Sequence, residues 1–560
     1  MKYTGFFFEA NSIQSYILQG GRLRDIVGAS YLLDQLCSAD IETACEQIHL
    51  KEVFHAPEGD KQILFTRKAS GAIYAVLGSL EAAQQLSALW SLWVRQQCPG
   101  LSFNQALSSA NSVFEVIGAG SKVLGQARSL PSTMLPTAAP LVERSPRTGF
   151  AASHRTHVLG KLELVDSAVA ARRRVVAQAQ RDNRGKLLPP AKGATRFVFP
   201  VNLDFDPKGE ADEYGFPFSG QNRSVGILHA DANGLGQVLL SVIAAAERDP
   251  QNAGQHFPEF LAKLSASVAD ATVAAAQWAV ESVLVPESEQ VYGTQIQVLP
   301  ARPILLAGDD LTIILRSDVA LKFLDAFSTA FEQETRASFT RLQQADCAQP
   351  FEGQLPQALT MCAGLQFVRN NFPFTQALHL AEDLCSAAKK GAKDLQAQHG
   401  WALTPAAVCF HRMTTSLTDE AGAQTLPGLG AYGLGSANQE HTKARLPSLQ
   451  GLMALAGALS RTAQSGAGPM RRLLNVATTD PAEALSDFRR WRQLSEKADP
   501  VTLKAFDHLM GRVHPDIVPT AFPGLRHEEG GSGRDLWVLP DLMHTLSTQS
   551  DKSPSSTAKD

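Results

Sequence analysis

Three aspartates in two short segments carry the most chemistry in this 560-residue chain. Asp231 follows the apolar run SVGILHA (224–230) and opens the glycine-containing stretch DANGLG, while Asp309 and Asp310 lie inside PILLAGDDLTIIL (303–315), an apolar run that turns back at Gly308. If the two strands are sheet neighbours, the carboxylates converge at one edge. That suits Mg²⁺ or Mn²⁺, hard ions that prefer carboxylate oxygens and substrate phosphates. Two such ions lower the charge of a nucleoside triphosphate, activate an attacking hydroxyl and stabilise the leaving pyrophosphate. Gly-Asp-Asp alone is more often a turn, because both residue types are favoured in hairpin loops. The apolar strands on both sides, and a further carboxylate after another strand, tilt the reading toward metal.

Other charged residues have two readings each. Lys389 and Lys390 end a helical pattern set by Ala377, Leu380, Leu384 and Ala388. Either Lys389 reaches a triphosphate as a point charge, or a cation simply suits a helix C-terminus. Arg22 and Arg24 either bind a second nucleotide's phosphates or lie on the surface, with Asp25 pairing with one of them. His411, after the strand-like 406–410, reads as structural rather than as a ligand. The glycines of GLGAYGLGS (428–436) follow no strand and read as loop.

The elements needed to position the aspartates repeat. A strand at Tyr3–Phe8 leads into a helical pattern (Ile13, Ile17, Val27, Leu32, Leu33, Leu36), a hairpin of 62–65 and 72–77 around an Arg67–Gly71 turn, and a helix over 80–94. The same order returns after residue 221 with longer connections. The pattern predicts an α/β (α+β) protein with two copies of one unit, residues 1–130 and 221–415. The first copy is expected to be non-catalytic, since Arg67, Lys68 and Ser70 stand where the second has its acids. Between them, 131–220 reads as a bridge. Its basic residues between Arg144 and Arg196 (Arg172, Arg173, Arg174, Arg181, Arg184, Lys186) form either a solvated helix face or a phosphate- or RNA-contacting surface. A loop over 416–446 precedes a helical domain at 447–545, with Leu449, Leu452, Leu455 and Leu459 on one face and Pro500 as a break, and residues 546–560 read as disordered.

Composition narrows the setting. The chain is 44% apolar and 19% charged, and no run approaches the roughly 20 apolar residues of a membrane span. Its N-terminus is broken by Glu9, Asn11 and Gln14, unlike a signal peptide. Seven scattered cysteines without a Cys-x-x-Cys pair read as reduced thiols, with no zinc ribbon. The expected location is cytoplasmic, with no membrane partner. A formal charge of −4 gives no general attraction to nucleic acid.

At these residues the sequence resembles the large palm-domain subunit of type III CRISPR effector complexes, the Cas ten family, especially its second palm. SIQSYILQGGRLRDIVGASYLLDQL (12–36) is similar to the opening motif of the first palm, and HADANGLG (229–236) to the first metal-binding strand. LAGDD (306–310) resembles the family's Gly-Gly-Asp-Asp hairpin, and LTMCAGLQFVRNNFPFTQALHLAEDLCSAAK (359–389) the strand, turn and helix that close the palm. The resemblance implies two ferredoxin-like palms related to nucleotide cyclases, joining ATP into cyclic oligoadenylates for antiviral signalling. It implies Asp231, Ala232, Asp309 and Asp310 at the metals and Asn233, Gly234, Gly308 and Lys389 at nucleotide, with Gly308 letting substrate approach the backbone. RNA and RNA-backbone CRISPR subunits become expected partners. The sequence departs from the pattern in having no His-Asp dipeptide, so DNA cleavage is not expected, no zinc-binding cysteines between the palms, and Ala307 where a glycine is usual. A catalytically silent nucleotide-binding scaffold and a cyclase acting on GTP remain the competing expectations.

Overall fold

The structure is a computed structural model describing residues 2–69, 71–129, 139–158, 161–189, 196–203, 214–218, 223–285, 289–292, 296–413, 430–435, 446–460, 467–477, 480–513, 542 and 545. In the first unit, β1 (Tyr3–Ala10) leads into α1 (Ile13–Leu18), α2 (Leu23–Gln35) and α3 (Ile41–Gln47). The short β2 (Lys51–Glu52), the hairpin of β3 (Gln62–Ala69) and β4 (Ala72–Leu77), then α4 (Leu80–Gln97), β5 (Phe103–Ala110) and α5 (Val113–Ala127) follow. The strand order is β2-β3-β4-β1-β5, with β1 antiparallel to both neighbours. Without β2 this is the βαββαβ ferredoxin-like arrangement. Phe6, Phe7 and Phe8 are fully buried: Phe7 faces one hydrophobic core and its two neighbours another. Three consecutive phenylalanines are tolerated because both faces of the sheet are covered.

The first hairpin differs from its sequence reading. Arg67 and Lys68 belong to β3, opposite Tyr74 and Ile73, and the strand runs on to Ala69, which pairs with Ala72. The strand tolerates them because Arg67 lies over the Tyr74 ring at 5.6 Å and the Lys68 ammonium bonds Glu42 at 2.9 Å. β5 and α5 are additions to that reading. β5 is an edge strand whose FNQALSSA is only half-buried and so lacks an apolar signature.

Between the units stand the hairpin β6 (His154–Val158) and β7 (Lys161–Val165), α6 (Ser167–Lys186) and β8 (Arg196–Val198). α6 packs on α2, which corrects the basic bridge at two positions. Arg173 is buried and bonds Asp25 (2.7 and 3.2 Å) and Glu163 (2.8 Å), while Arg172 lies over the Tyr16 ring at 4.4 Å. Neither is a solvated or RNA-facing cation, and Asp25 pairs with Arg173. Arg174 is exposed, and the side chains of Arg181, Arg184 and Lys186 lie outside the described residues.

The second unit runs β9 (Ser224–Ala232), α7 (Leu235–Arg248), α8 (Ala253–Ala279), β10 (Glu289–Tyr292), β11 (Ile296–Val298), β12 (Ala301–Ala307) and β13 (Asp310–Arg316). It continues with α9 (Ser317–Gln343), β14 (Met361–Arg369), α10 (Phe374–His399), β15 (Ala407–Arg412) and β16 (Tyr432–Gly433). The order β12-β13-β9-β14-β15-β16 repeats the first unit's β3-β4-β1-β5 and appends two strands. β10 and β11 form a separate small sheet with β8. Strand β9 carries on through Asp231, since Cys362 of β14 still pairs with it. α10 runs ten residues past Lys389, because buried Ala392 and Leu395 continue its apolar face. The glycine segment read as loop contributes β16, pairing with β15.

At the C-terminus, α11 (Leu449–Ser460), α12 (Ala467–Ala477), α13 (Pro481–Ala498) and α14 (Pro500–Val513) form the expected helices. Leu449, Leu452, Leu455 and Leu459 are fully buried. Pro500 opens α14, the first-turn position where its missing N–H costs nothing. Residues 546–560 lie outside the described residues. All seven cysteines are buried and none is in a disulfide, and among the described residues no helix is long and apolar enough to cross a membrane.

Removing Asp25 tests the α2–α6 contact. Asp25→Ala leaves Arg173, whose side chain is only 4% exposed, with Glu163 still paired but part of its fork unsatisfied, so we expect a loss of about 1–3 kcal/mol, read as a lowered denaturant midpoint for the first unit.

Candidate metal centre

Hairpin β12–β13 turns on Gly308 and Asp309, closed by the pair Ala307 and Asp310. Gly308 has φ +64°, which a side chain disfavours, so glycine at the first central position gives the tight two-residue loop its hand. The register sets Leu311 opposite Ala230, and one step toward the turn brings Asp310 beside Asp231. The three carboxylates of Asp231, Asp309 and Asp310 each present an oxygen within 4.8 Å of the others.

Such crowding is electrostatically costly. Burial and the Asp231 charge raise the Asp309 carboxyl above its ordinary range. Burial, Asp231 and Asp309 together raise Asp310 further. Positive charge relieves the cluster from two sides. Lys389 donates to Asp231 and reaches the Ala232 carbonyl at 3.4 Å. Arg67 of the first unit's β3 acts on Asp309 through its field. An all-oxygen donor set that keeps excess negative charge is the chemistry that hard divalent cations take. The residues present fit Mg²⁺ or Mn²⁺, with Asp231, Asp309 and Asp310 as carboxylate donors and Ala232 offering its carbonyl.

Lys389 reaches Asp231 because α10 lies unusually close to the sheet. A Cβ at Gly364 would stand 1.9 Å from the Ala381 carbonyl oxygen and 2.5 Å from the Cys385 nitrogen, so only glycine allows this approach. Since Lys389 is well inside α10, the helix-terminus explanation for its charge falls away. His229, two residues before Asp231 on the same face, bonds the Thr312 hydroxyl at 3.1 Å, and burial lowers its pKa.

The remaining residues singled out by the sequence separate. Asn233 is buried, its amide donating to the Thr360 hydroxyl (3.1 Å) and the Cys362 sulfur (3.3 Å), so it pins the turn after β9. Gly234 takes φ +84° and caps α7 at its N-terminus, with open space where a side chain would stand. The helix's first N–H groups, which have no intrahelical acceptor, are available to phosphate there. Arg22 is half-buried, with its pKa lowered by burial and by Arg147, and Arg24 is buried. His411 bonds Gln366 at 3.2 Å and stays structural.

The first unit holds a counterpart that sequence reading missed. Its hairpin closes on Ala69 and Ala72, and Ala72 faces Glu9. By register, Gly71 and Ala72 occupy the places of Asp309 and Asp310, and Glu9 that of Asp231; the shortage of acids there is real, although at positions other than Arg67 and Lys68. Glu9 receives two bonds from Arg128 (2.8 and 2.7 Å) and one from the Tyr74 hydroxyl. Arg128 follows Val113, the start of α5, by the same fifteen residues that separate Lys389 from Phe374 in α10. Both units thus place a cation from the helix after the fourth strand on an acid of the first strand. The signal was the repeated spacing, visible only once the strands are aligned.

Two substitutions test the centre. Asp310→Asn removes one of three repelling charges, so the metal-free protein should gain on the order of 1 kcal/mol, while the rise in unfolding temperature on adding Mg²⁺ should vanish. Gly364→Ala should push α10 off β14 at a cost of about 1–3 kcal/mol and weaken Mn²⁺ binding, measured by calorimetry, although it replaces no ligand.

Residues 224–397 match the sequence profile of Cas10/Cmr2, second palm domain. No curated protein matches the chain. Among solved structures, the Csm1–Csm4 cassette in complex with cA3 aligns at 12% identity and TM-score 0.47, over 98% of this chain and 70% of that one. The cassette in complex with cA4 aligns at 10% and 0.44 over 98% and 70%, and that with one ATP at 11% and 0.44 over 97% and 70%. The segment carrying the acidic hairpin, its partner strand β9 and the lysine helix is a second palm domain of the Cas10/Cmr2 family.

Proposed function

We propose that this protein is a metal-dependent nucleotidyltransferase that joins ATP into cyclic oligoadenylates in CRISPR-type antiviral defence. The observation that carries the reading is the convergence of Asp231, Asp309 and Asp310 within 4.8 Å in a palm of that family. When bound, Mg²⁺ or Mn²⁺ supplies activation of the attacking hydroxyl and charge neutralisation at the leaving pyrophosphate. The chain's own residues do the positioning. Asp231, Asp309 and Asp310 hold the metals, the tight turn at Gly308 lets substrate lie against backbone, and the N-terminus of α7 beyond Gly234 accepts phosphate oxygens. Lys389, which donates to Asp231, would be placed to pair with a phosphate oxygen of a bound triphosphate. Arg67 adds positive charge from the first palm.

One observation favours a second reading, a nucleotide-binding scaffold subunit of an RNA-guided complex. Lys389 already bonds the carboxylate that a metal must take. If that pair persists with nucleotide bound, the site binds without turnover. RNA and RNA-backbone subunits are the partners of such a subunit.

Incubation of the purified chain with each labelled nucleoside triphosphate, with Mg²⁺ or Mn²⁺ and with or without RNA, separates the readings. We expect cyclic products from ATP that vanish in Asp309→Ala/Asp310→Ala. Metal-dependent binding without any product would replace the cyclase by the scaffold, and products from GTP alone would reassign the base.

A further inference from the structure

Arg22 is a cation that the folded chain leaves over. It stands at the N-cap of α2, directly after Gly20 and Gly21, and is half-buried. Among the described residues it makes neither a hydrogen bond nor an ion pair. Burial and the nearby Arg147 charge both lower its pKa.

The charges around it are engaged with one another. Arg147, in the turn that precedes β6, bonds Glu163 through Nε at 2.7 Å and through Nη2 at 2.6 Å. Glu163 bonds Arg173 at 2.8 Å, and Arg173 bonds Asp25 at 2.7 and 3.2 Å. This chain of pairs ends on the first turn of α2, three residues from Arg22. Asp166, next to the same turn, accepts from the Thr148 hydroxyl and from the N–H groups of Ala168 and Val169. The network therefore holds three guanidiniums against two carboxylates, and the surplus charge is that of Arg22. A half-buried cation beside a second one is unfavourable unless an anion joins them.

The backbone at this point has room for one. A Cβ at Gly20 would lie 2.3 Å from the Asp25 Cβ, so the loop is held tight against the helix start on that side. Gly21 has φ +69° and nothing within 4 Å of where a Cβ would stand. No N-cap side chain covers the first N–H groups of the thirteen-residue α2, which have no intrahelical acceptor and carry the positive end of the helix. The cavity of about 820 Å³ between the palms meets α2 elsewhere, along Val27, Ser30, Tyr31 and Asp34. Arg22 lies about 140° round the helix from Val27, and neither it nor Arg147 lines that cavity.

We propose that Arg22 and the start of α2, with Arg147 beside them, form a phosphate-binding site on the bridge side of the first palm, separate from the metal triad. A phosphate has enough oxygens to meet two guanidinium forks and the helix N–H groups at once, whereas a carboxylate has two. The phosphate is either a diester in the backbone of a single-stranded nucleic acid or a free or terminal phosphate, and the two sources share this chemistry. No residue of the triad takes part, so the site stands or falls independently of the nucleotidyltransferase reading.

The full chain is titrated in EDTA, so that metal-held phosphate does not contribute, with three probes: inorganic phosphate, a short 5′-hydroxyl oligouridylate, and the same oligomer 5′-phosphorylated. Anisotropy of the labelled oligomers and the phosphate-induced rise in unfolding midpoint report binding. Arg22→Gln should weaken binding by about tenfold, and Arg22→Lys should recover part of it. In phosphate-free buffer Arg22→Gln should leave the unfolding midpoint unchanged or raise it, since no bond is lost; an arginine with a purely structural role would lower it. Arg147→Gln should weaken binding too but lower the midpoint, because Glu163 loses a partner. Binding of the 5′-hydroxyl oligomer that phosphate competes away assigns the site to a nucleic-acid backbone. Binding confined to phosphate and the 5′-phosphorylated oligomer assigns it to a free or terminal phosphate. A parent chain that binds none of the three, or equal affinity after Arg22→Gln, overturns the site.

Discussion

Three carboxylates held within 4.8 Å of one another repel, and much of the second palm can be understood as the framework that keeps them there. A two-residue turn fixes Asp309 and Asp310 to the ends of buried strands, so neither can swing away. β9 brings Asp231 from the adjacent strand, and the antiparallel register removes any freedom to slide, because a one-residue slip would turn its whole apolar set to the wrong face. The opposing charge comes on α10, whose backbone sits against β14 only because residue 364 is glycine. Crowding the three carboxylates costs stability locally, a cost of the kind that concentrates at functional sites.

Duplication accounts for a second feature. The same strand order underlies both palms, yet the first has settled its electrostatics within itself. Glu9 is covered by Arg128 and Tyr74, and the hairpin opposite offers Gly71 and Ala72 where the second palm has acids. Arg128 and Tyr74 thus satisfy this acid from within the unit. Arg67 of the same unit is felt by Asp309 across the interface. The first palm thus acts as a wall and a source of positive charge for its neighbour, a role consistent with β3 running on to Ala69 rather than turning at Arg67.

How far the sequence revealed this depended on whether a signal was local. The triad was legible because apolar runs flank each acid and the turn chemistry of Gly308 is short-range. The repeated palm was legible from element order, but β5 escaped because an edge strand with one partly wet face needs no apolar run. Arg172 and Arg173 read as a charge run, whereas their burial follows from α6 lying on α2, a contact nothing in the local pattern encodes. Lys389 was placed at a helix end because the apolar face seemed complete at Ala388; Ala392 and Leu395 carry it onward.

These observations meet at the Lys389–Asp231 pair. The ammonium offsets one charge of the triad, and the Asp309 and Asp310 carboxyls remain raised, first by burial and then by the Asp231 charge. If the triad holds a divalent ion, Asp231 would be shared between that ion and the lysine, and an ammonium freed from Asp231 would stand beside the triad ready to pair with a phosphate oxygen. Metal and triphosphate are therefore expected to bind cooperatively, each removing the electrostatic cost that opposes the other, and the coupling comes from an ion pair that either ligand alone would leave half-broken.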